Sequence, residues 1–240
     1  MAADGLSTIL LDVEGTASPI AFVHEVMYGY ARRELAGFLS RNIADQSLAP
    51  LWDALAAEAG AGDLSALVEQ MGAPPVEALR CAAVGLMDVD AKATALKSLQ
   101  GRIWKAGFES GELKAQIFED VPRALERWTT SGVDVRIYSS GSVEAQRLFF
   151  EHSEFGDLRR HIAGYYDTTT GPKRAAESYR KIAADIGRPA ASILFLSDVV
   201  AELDGAQAAG MQTGLMLRPG NAPVDGDHVH RMYETFDEIA

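Results

Sequence analysis

Cysteine is almost missing from this chain. Cys81 is the only one in 240 residues, so no intramolecular disulfide can form, which fits a reducing compartment. Its apolar helical surroundings, Leu79 to Ala83, make it a small buried hydrophobe. Positive charge is also scarce. Lys and Arg number 22 against 34 Asp and Glu, a net charge of -12. A field of that sign repels nucleic acid and anionic membranes, so neither is an expected partner. It repels phosphorylated metabolites too, so a phosphate site must carry its own local cation, and a metal ion and a lysine are the obvious suppliers. No apolar run reaches the roughly 20 residues that span a bilayer. The first residues hold Asp4 and no basic residue, unlike a secretory signal. A cytoplasmic protein is expected, and since nothing demands an oligomer, a monomer.

Hydrophobic residues make up 48% of the chain and charged residues 23%, a composition able to fill a globular core. Ser7-Thr8-Ile9-Leu10-Leu11-Asp12 reads as a buried strand closed by Gly15. From Phe22 to about Leu113 the pattern becomes helical, as in Met27, Tyr30, Ala31, Leu35 and Phe38. Gly60-Ala61-Gly62-Asp63 and Gly72-Ala73-Pro74-Pro75 divide that stretch into separate helices. Strand and helix then alternate. Helix starts at Asp120, after Ser142 and at Lys173 follow or precede strands at Val133–Tyr138, Ile162–Tyr166, Ser192–Leu196 and Gln212–Leu217, the last strand. Val200 to Ala209 forms the helix before it. This rhythm predicts an α/β fold, a doubly wound parallel sheet with helices on both faces and an inserted all-helical block. The expected division is a Rossmann-like core of residues 1–20 and 116–240 and a helical cap of residues 21–115.

In an open parallel sheet, ligands bind beyond the carboxyl ends of the strands. The polar residues ending these strands are Asp12, Ser139, Asp167 and Asp198, and Lys173 stands where it can reach the same rim. Carboxylates there would hold magnesium, while the lysine and hydroxyl would hold phosphate oxygens. Asp12 can attack phosphorus and form an aspartyl phosphate. Glu14, two residues on, can act as general acid and then as base. Gly15 lets the chain turn sharply, and Thr16 can donate to phosphate. Ser139 and the Ser140 N–H lie near a helix start suited to anions. Glu202, one turn after Asp198, is read as supporting the metal ligands rather than as one of them. Each element alone has an ordinary explanation as a cap, turn or surface charge; their shared order and placement argue for one site.

The motifs Asp12-Val13-Glu14-Gly15-Thr16, Tyr138-Ser139-Ser140-Gly141-Ser142, Gly171-Pro172-Lys173 and Leu196-Ser197-Asp198 resemble the four motifs of the haloacid dehalogenase superfamily. Glu14, where most of its phosphatases have Asp, resembles the enolase-phosphatase branch. So do Pro19-Ile20-Ala21-Phe22-Val23, Leu99-Gln100-Gly101 with Trp104, Val143-Glu144-Ala145-Gln146, Glu177 to Ala183, and Arg218-Pro219-Gly220-Asn221. Gly29 departs from the family's frequent proline.

The resemblance implies a single Mg2+ cofactor and a small phosphorylated substrate, 2,3-diketo-5-methylthiopentyl-1-phosphate, which is enolised and then dephosphorylated to an acireductone in methionine salvage. It implies Asp12 as nucleophile and metal ligand, Glu14 as acid/base and, through its carbonyl, ligand. Asp198 is then the further ligand, and Ser139, Ser140 and Lys173 bind substrate. No motif identifies the base for enolisation, for which Glu14 is preferred. Competing readings are a phosphatase for another small metabolite such as a sugar phosphate, a dehalogenase, which would not need Glu14 or the metal carboxylates, and a non-catalytic phosphate-binding module. His24 reads as a hinge or surface residue, Trp104 and Phe108 as cap core, and Gln100 and Lys105 as residues that could face substrate. His228 and His230 read as parts of a solvated loop.

Overall fold

The computed structural model of the protein describes residues 5–224 and 226–239. The chain forms two compact units, one holding the residues up to Val23 and from Lys114 onward, the other His24–Leu113.

The first unit is built on a parallel sheet. Its central strand is β1 (Thr8–Leu11), an unbroken apolar run buried along its whole length. The His24–Leu113 unit follows as helices α1 (Tyr28–Asn42), α2 (Ala49–Glu58), α3 (Leu64–Met71), α4 (Pro75–Asp88) and α5 (Thr94–Ser110). A π-helical segment, Phe22–Met27, leads into α1. The predicted breaks fall where expected. Asp63 caps α3 by accepting from Ala66 N at 2.8 Å. Gly72 ends α3 at φ 60°, a conformation suited to glycine, and α4 begins at Pro75. Met27, Tyr30, Ala31, Leu35 and Phe38 are all buried, so the helical apolar stripe is this unit's core face. Phe108 is buried with them. Trp104 is half-buried and donates from Nε1 to Met27 O at 2.7 Å.

The first unit resumes with α6 (Asp120–Thr130), β2 (Asp134–Tyr138), α7 (Val143–Glu151), β3 (Gly164–Tyr166), α8 (Ala176–Ile186), β4 (Ile193–Ser197), α9 (Val200–Ala208), β5 (Gln212–Met216) and β6 (Arg231–Tyr233). Among the described residues the strands form one sheet in the order β3-β2-β1-β4-β5-β6, every neighbouring pair parallel. From β1 the chain builds outward through β2 and β3, then returns to the other side of β1 for β4, β5 and β6. The topological switch therefore lies between β1 and β4, where a doubly wound sheet opens a crevice for ligands. Leu10, Tyr138, Tyr179, Phe195, Leu203 and Leu215 belong to the core that fixes these strands and helices.

Three expectations need correction. Gln212–Met216 is not the last strand, because Arg231–Tyr233 adds an edge strand beside it. His230 is not part of a solvated loop, although Val229 beside it is exposed. His230 is 5% exposed, and its ring contacts Thr213 Oγ1 at 2.8 Å and Asp204 Oδ1 at 3.1 Å. The third correction concerns Lys173, which does not begin a helix; α8 starts at Ala176.

Candidate active site

β1 ends at Leu11, and the next residue, Asp12, extends its ladder by donating N–H to Leu196 O at 2.9 Å. Asp12 is 4% exposed. Its Oδ1 accepts from Val13 N at 2.7 Å, and its Oδ2 accepts from Ser197 Oγ at 3.2 Å. Lys173 Nζ lies 2.7 Å from Asp12 Oδ1 and 2.7 Å from Glu202 Oε2. One ammonium thus bridges two carboxylates from different elements. Sequence reading placed Glu202 near Asp198 but gave no sign that it also pairs with Lys173.

Lys173 holds this position without a helix. Three hydroxyls donate to three successive carbonyls around it: Tyr138 to Gly171 O (2.8 Å), Ser178 to Pro172 O (2.8 Å) and Tyr179 to Lys173 O (2.6 Å). Gly171 is required here. Its φ is 152°, and a Cβ would overlap Ser178 Oγ. Burial alone would lower the Lys173 pKa, but the charges of Asp12 and Glu202 outweigh it and hold the ammonium above its ordinary value.

Asp198 follows β4 across the switch point from Asp12. The turn after Asp12 brings the backbone against it. Gly15 has φ 66°, and a Cβ there would overlap Asp198 Oδ2. Burial, and next the charge of Asp12, push the Asp198 carboxyl up to about 7. Glu202 is also raised, first by burial and then by Asp12, with Lys173 opposing. Asp12, Asp198 and Glu202 together carry more negative charge than the Lys173 ammonium offsets.

That imbalance is the observation against which a divalent cation can be tested. Among the described residues no three His, Cys, Asp or Glu side chains gather as a metal cluster. Magnesium does not need one, because it keeps several waters and is held through one or two carboxylates plus substrate phosphate. Two carboxylates across one crevice, one of them driven toward protonation by burial and then by the other, are the donor set such an ion would neutralise. Asp12 and Asp198 fit it.

Glu14 is half-buried in the turn after Asp12. Thr16 is fully buried, and its carbonyl, not its hydroxyl, makes the contact seen, accepting from Arg218 Nε at 3.0 Å. Ser139 follows β2, is 5% exposed, and donates N–H to Tyr166 O at 3.2 Å. Ser140 is exposed beside it.

The start of α7 is less open to anions than its sequence suggests. Val143 N donates to Asp167 Oδ2 at 3.2 Å, and Ala145 N to the Ser142 hydroxyl at 3.2 Å. Asp167 is therefore the resident anion of that helix start. Burial would raise its pKa, but hydrogen bonds from Thr169 and Val143 hold it below the usual range.

Arg218 escaped sequence reading as a functional residue. It is buried, paired with Asp120 Oδ2 at 2.8 Å, and flanked by the Phe118 and Phe236 rings. The only sequence signal was a polar Arg-Pro-Gly-Asn turn directly after β5.

The haloacid dehalogenase-like hydrolase family matches residues 6–210. The enolase-phosphatase E1 of Synechococcus elongatus is 46% identical over 235 residues, covering 98% of each chain. That of Sorangium cellulosum is 42% identical over 240 residues, covering 100% of each. A probable bifunctional methylthioribulose-1-phosphate dehydratase/enolase-phosphatase E1 of Physcomitrium patens is 42% identical, and the match covers 97% of this chain and 48% of that one. The crystal structure of the UTR4 protein of Saccharomyces cerevisiae superposes with a TM-score of 0.79 at 36% identity, covering 97% of this chain and 99% of that one. A dehalogenase crystal structure, 18% identical with a TM-score of 0.56, shares the fold.

Proposed function

The chain belongs to the haloacid dehalogenase-like hydrolases and, within them, to the enolase-phosphatases, and from that membership we propose that it enolises 2,3-diketo-5-methylthiopentyl-1-phosphate and then hydrolyses the enol phosphate to an acireductone and inorganic phosphate. The observation that carries this reading is the Asp12–Lys173–Glu202 bridge beside Asp198 at the sheet's switch point. The dehydratase to which the moss relative is joined acts, by its name, on a methylthio sugar phosphate, which supports a methylthio substrate and a place in methionine salvage.

Asp12 is the nucleophile. Its carboxylate attacks phosphorus, the bond from phosphorus to the ester oxygen breaks, and Glu14 gives that oxygen a proton. Glu14 then takes a proton from water as the water oxygen attacks the phosphoaspartate, regenerating Asp12 and releasing phosphate. Lys173, held charged by its two carboxylates, fixes Asp12 Oδ1 in place and offsets charge on the phosphoryl oxygens. The Ser139 hydroxyl and Ser140 N–H orient the phosphate. In the first step Glu14 is the assigned base: it takes the carbon-bound proton, the C–H electron pair forms the C=C bond as the carbonyl oxygen becomes an enolate, and that oxygen takes a proton from water. Asp12, Asp198 and the Glu14 carbonyl would hold Mg2+, which when bound would supply positive charge to an enolate oxygen and to a phosphoryl oxygen.

The His24–Leu113 unit is proposed as the cap subdomain that selects the substrate, since the core groups serve phosphate transfer generally. Among the described residues no helix is long and apolar enough to cross a membrane, and we assign the protein to the cytoplasm as a monomer. The test is a phosphate-release assay on the diketone phosphate and on a panel of sugar phosphates, with magnesium and with EDTA. Release from the diketone alone, abolished by EDTA and restored by magnesium, is expected. Release that persists in chelator, or prefers a sugar phosphate, would overturn the proposal.

A further inference from the structure

Two buried amides stand beside this site and are not used by the chemistry above. Gln146 lies on α7 and is 4% exposed. Its Nε2 donates to Gly141 O at 2.7 Å and to Tyr166 O at 2.9 Å. Gly141 belongs to the loop that carries Ser139 and Ser140, and Tyr166 ends β3. Asn221 lies after β5 and repeats the pattern. Its Nδ2 donates to Gly15 O at 2.9 Å and to Met216 O at 3.2 Å. Gly15 belongs to the loop that carries Asp12 and Glu14, and Met216 ends β5.

Each amide therefore joins one functional loop to the end of a strand. The likeness extends to the other half of each amide. Gln146 Oε1 and Asn221 Oδ1 are both buried with no hydrogen-bond partner among the described residues. A buried orphan acceptor is unfavourable, so these side chains are held by what their NH2 groups donate. The two carbonyls facing each NH2 also fix the amide orientation, since the flipped form would set oxygen against oxygen. Asn221 crosses the end of β4 to reach Gly15. Its Oδ1 lies 3.0 Å from the position a Gly15 Cβ would take, the same position that Asp198 Oδ2 blocks.

We infer that Gln146 and Asn221 are positioning residues with separate duties, Gln146 setting the phosphate-binding loop and Asn221 setting the metal-binding loop. The inference rests on the functional reading above. Neither side chain need touch a reacting atom. A displacement of about 1 Å in a supporting loop can cost roughly 10²-fold in rate, and each of these loops has its own amide tie to the sheet.

The test uses variants that keep volume and remove the donors, Gln146→Met and Asn221→Leu. These also remove the orphan oxygens, and since they take a donor from the Gly141 and Gly15 carbonyls, Tm separates a general loss of stability from a loss confined to one ligand. Magnesium affinity is measured by calorimetry on the full chain. Inorganic phosphate affinity is then measured at saturating magnesium, with Tm recorded for each variant.

For Asn221→Leu the expected result is a magnesium Kd weakened about tenfold, with phosphate affinity at saturating metal within about twofold of wild type. For Gln146→Met it is the reverse, and KM for a phosphate ester rises while magnesium affinity holds. Gln146→Ala and Asn221→Ala repeat the comparison if either larger variant fails to fold. A split of this kind at near wild-type Tm supports the inference. Equal loss of both ligands, loss of neither, or a change that tracks Tm overturns it. Failure of the wild-type chain to bind magnesium and phosphate would instead overturn the functional reading.

Discussion

Lys173 Nζ and Asp12 Oδ1 stand 2.7 Å apart with Glu202 Oε2 at the same distance on the other side of the ammonium. All three side chains are largely withdrawn from water. The contact fixes where the Asp12 carboxylate oxygen stands, so it links the order of the fold to the placement of the attacking group.

Lys173→Ala leaves Asp12 and Glu202 buried without their cation. Breaking a buried pair this way costs about 3–5 kcal/mol, so the metal-free Tm should fall sharply. Turnover should fall too, while magnesium affinity is preserved or tightened, because the ion now relieves more repulsion. Calorimetry with magnesium checks this, and a collapse of metal binding would contradict the assigned role.

Asp12→Asn should release no phosphate, since the amide is not a nucleophile. Enolisation needs no phosphoaspartate. With excess magnesium the variant is expected to accumulate the enol phosphate slowly, visible as enol absorbance without free phosphate. Wild-type phosphate release would remove Asp12 from the mechanism.

Glu14→Gln removes a proton-transfer group worth about 10²–10⁴-fold. The loss should fall on the natural ester far more than on an activated aryl phosphate, whose leaving group needs no proton. Parallel rate measurements on the two esters decide it, and equal losses count against the acid/base role.

The pH dependence follows from Asp198. Its folded pKa of about 7 lies above the ordinary 3.8, raised by burial and then by Asp12. A raised carboxyl contributes its stability fully below the unfolded pKa and loses it as pH rises through the folded one. The metal-free protein should therefore lose this contribution between about 4 and about 7. Magnesium must displace the proton, so its affinity should tighten as pH rises and level off above 7. Magnesium-dependent Tm shifts measured on both sides of that value check the sign.

Much of this site was readable because its residues end apolar runs. Thr8–Leu11 and Ile193–Ser197 are buried strands whose patterns are continuous, so Asp12 and Asp198 were placed by what precedes them. What escaped depends on partners distant in the chain. β6 has three residues, of which only Tyr233 is buried, too short to show a period. Lys173 seemed to need a helix because the Tyr138, Ser178 and Tyr179 hydroxyls that hold its segment come from elsewhere. Arg218 belonged to a matching turn, but its burial beside Asp120 depends on a residue far away in the chain. Asp167 seemed free to serve the site until Val143 claimed it.

The place of β1 at the centre of the sheet also bears on the order in which the chain assembles. Ile9 pairs with Val135 on one side and with Leu194 on the other, so β1 has no neighbour in the sheet until β2, more than 120 residues later, has been made. The contacts of α1 through α5 lie within one continuous segment and can form early, whereas closing the sheet around β1 requires long loops to be brought together first. Refolding should show a fast helical phase, then a slower one in which Asp12 and Asp198 first meet. An interrupted chain ending before β4 would present an apolar strand edge to other chains.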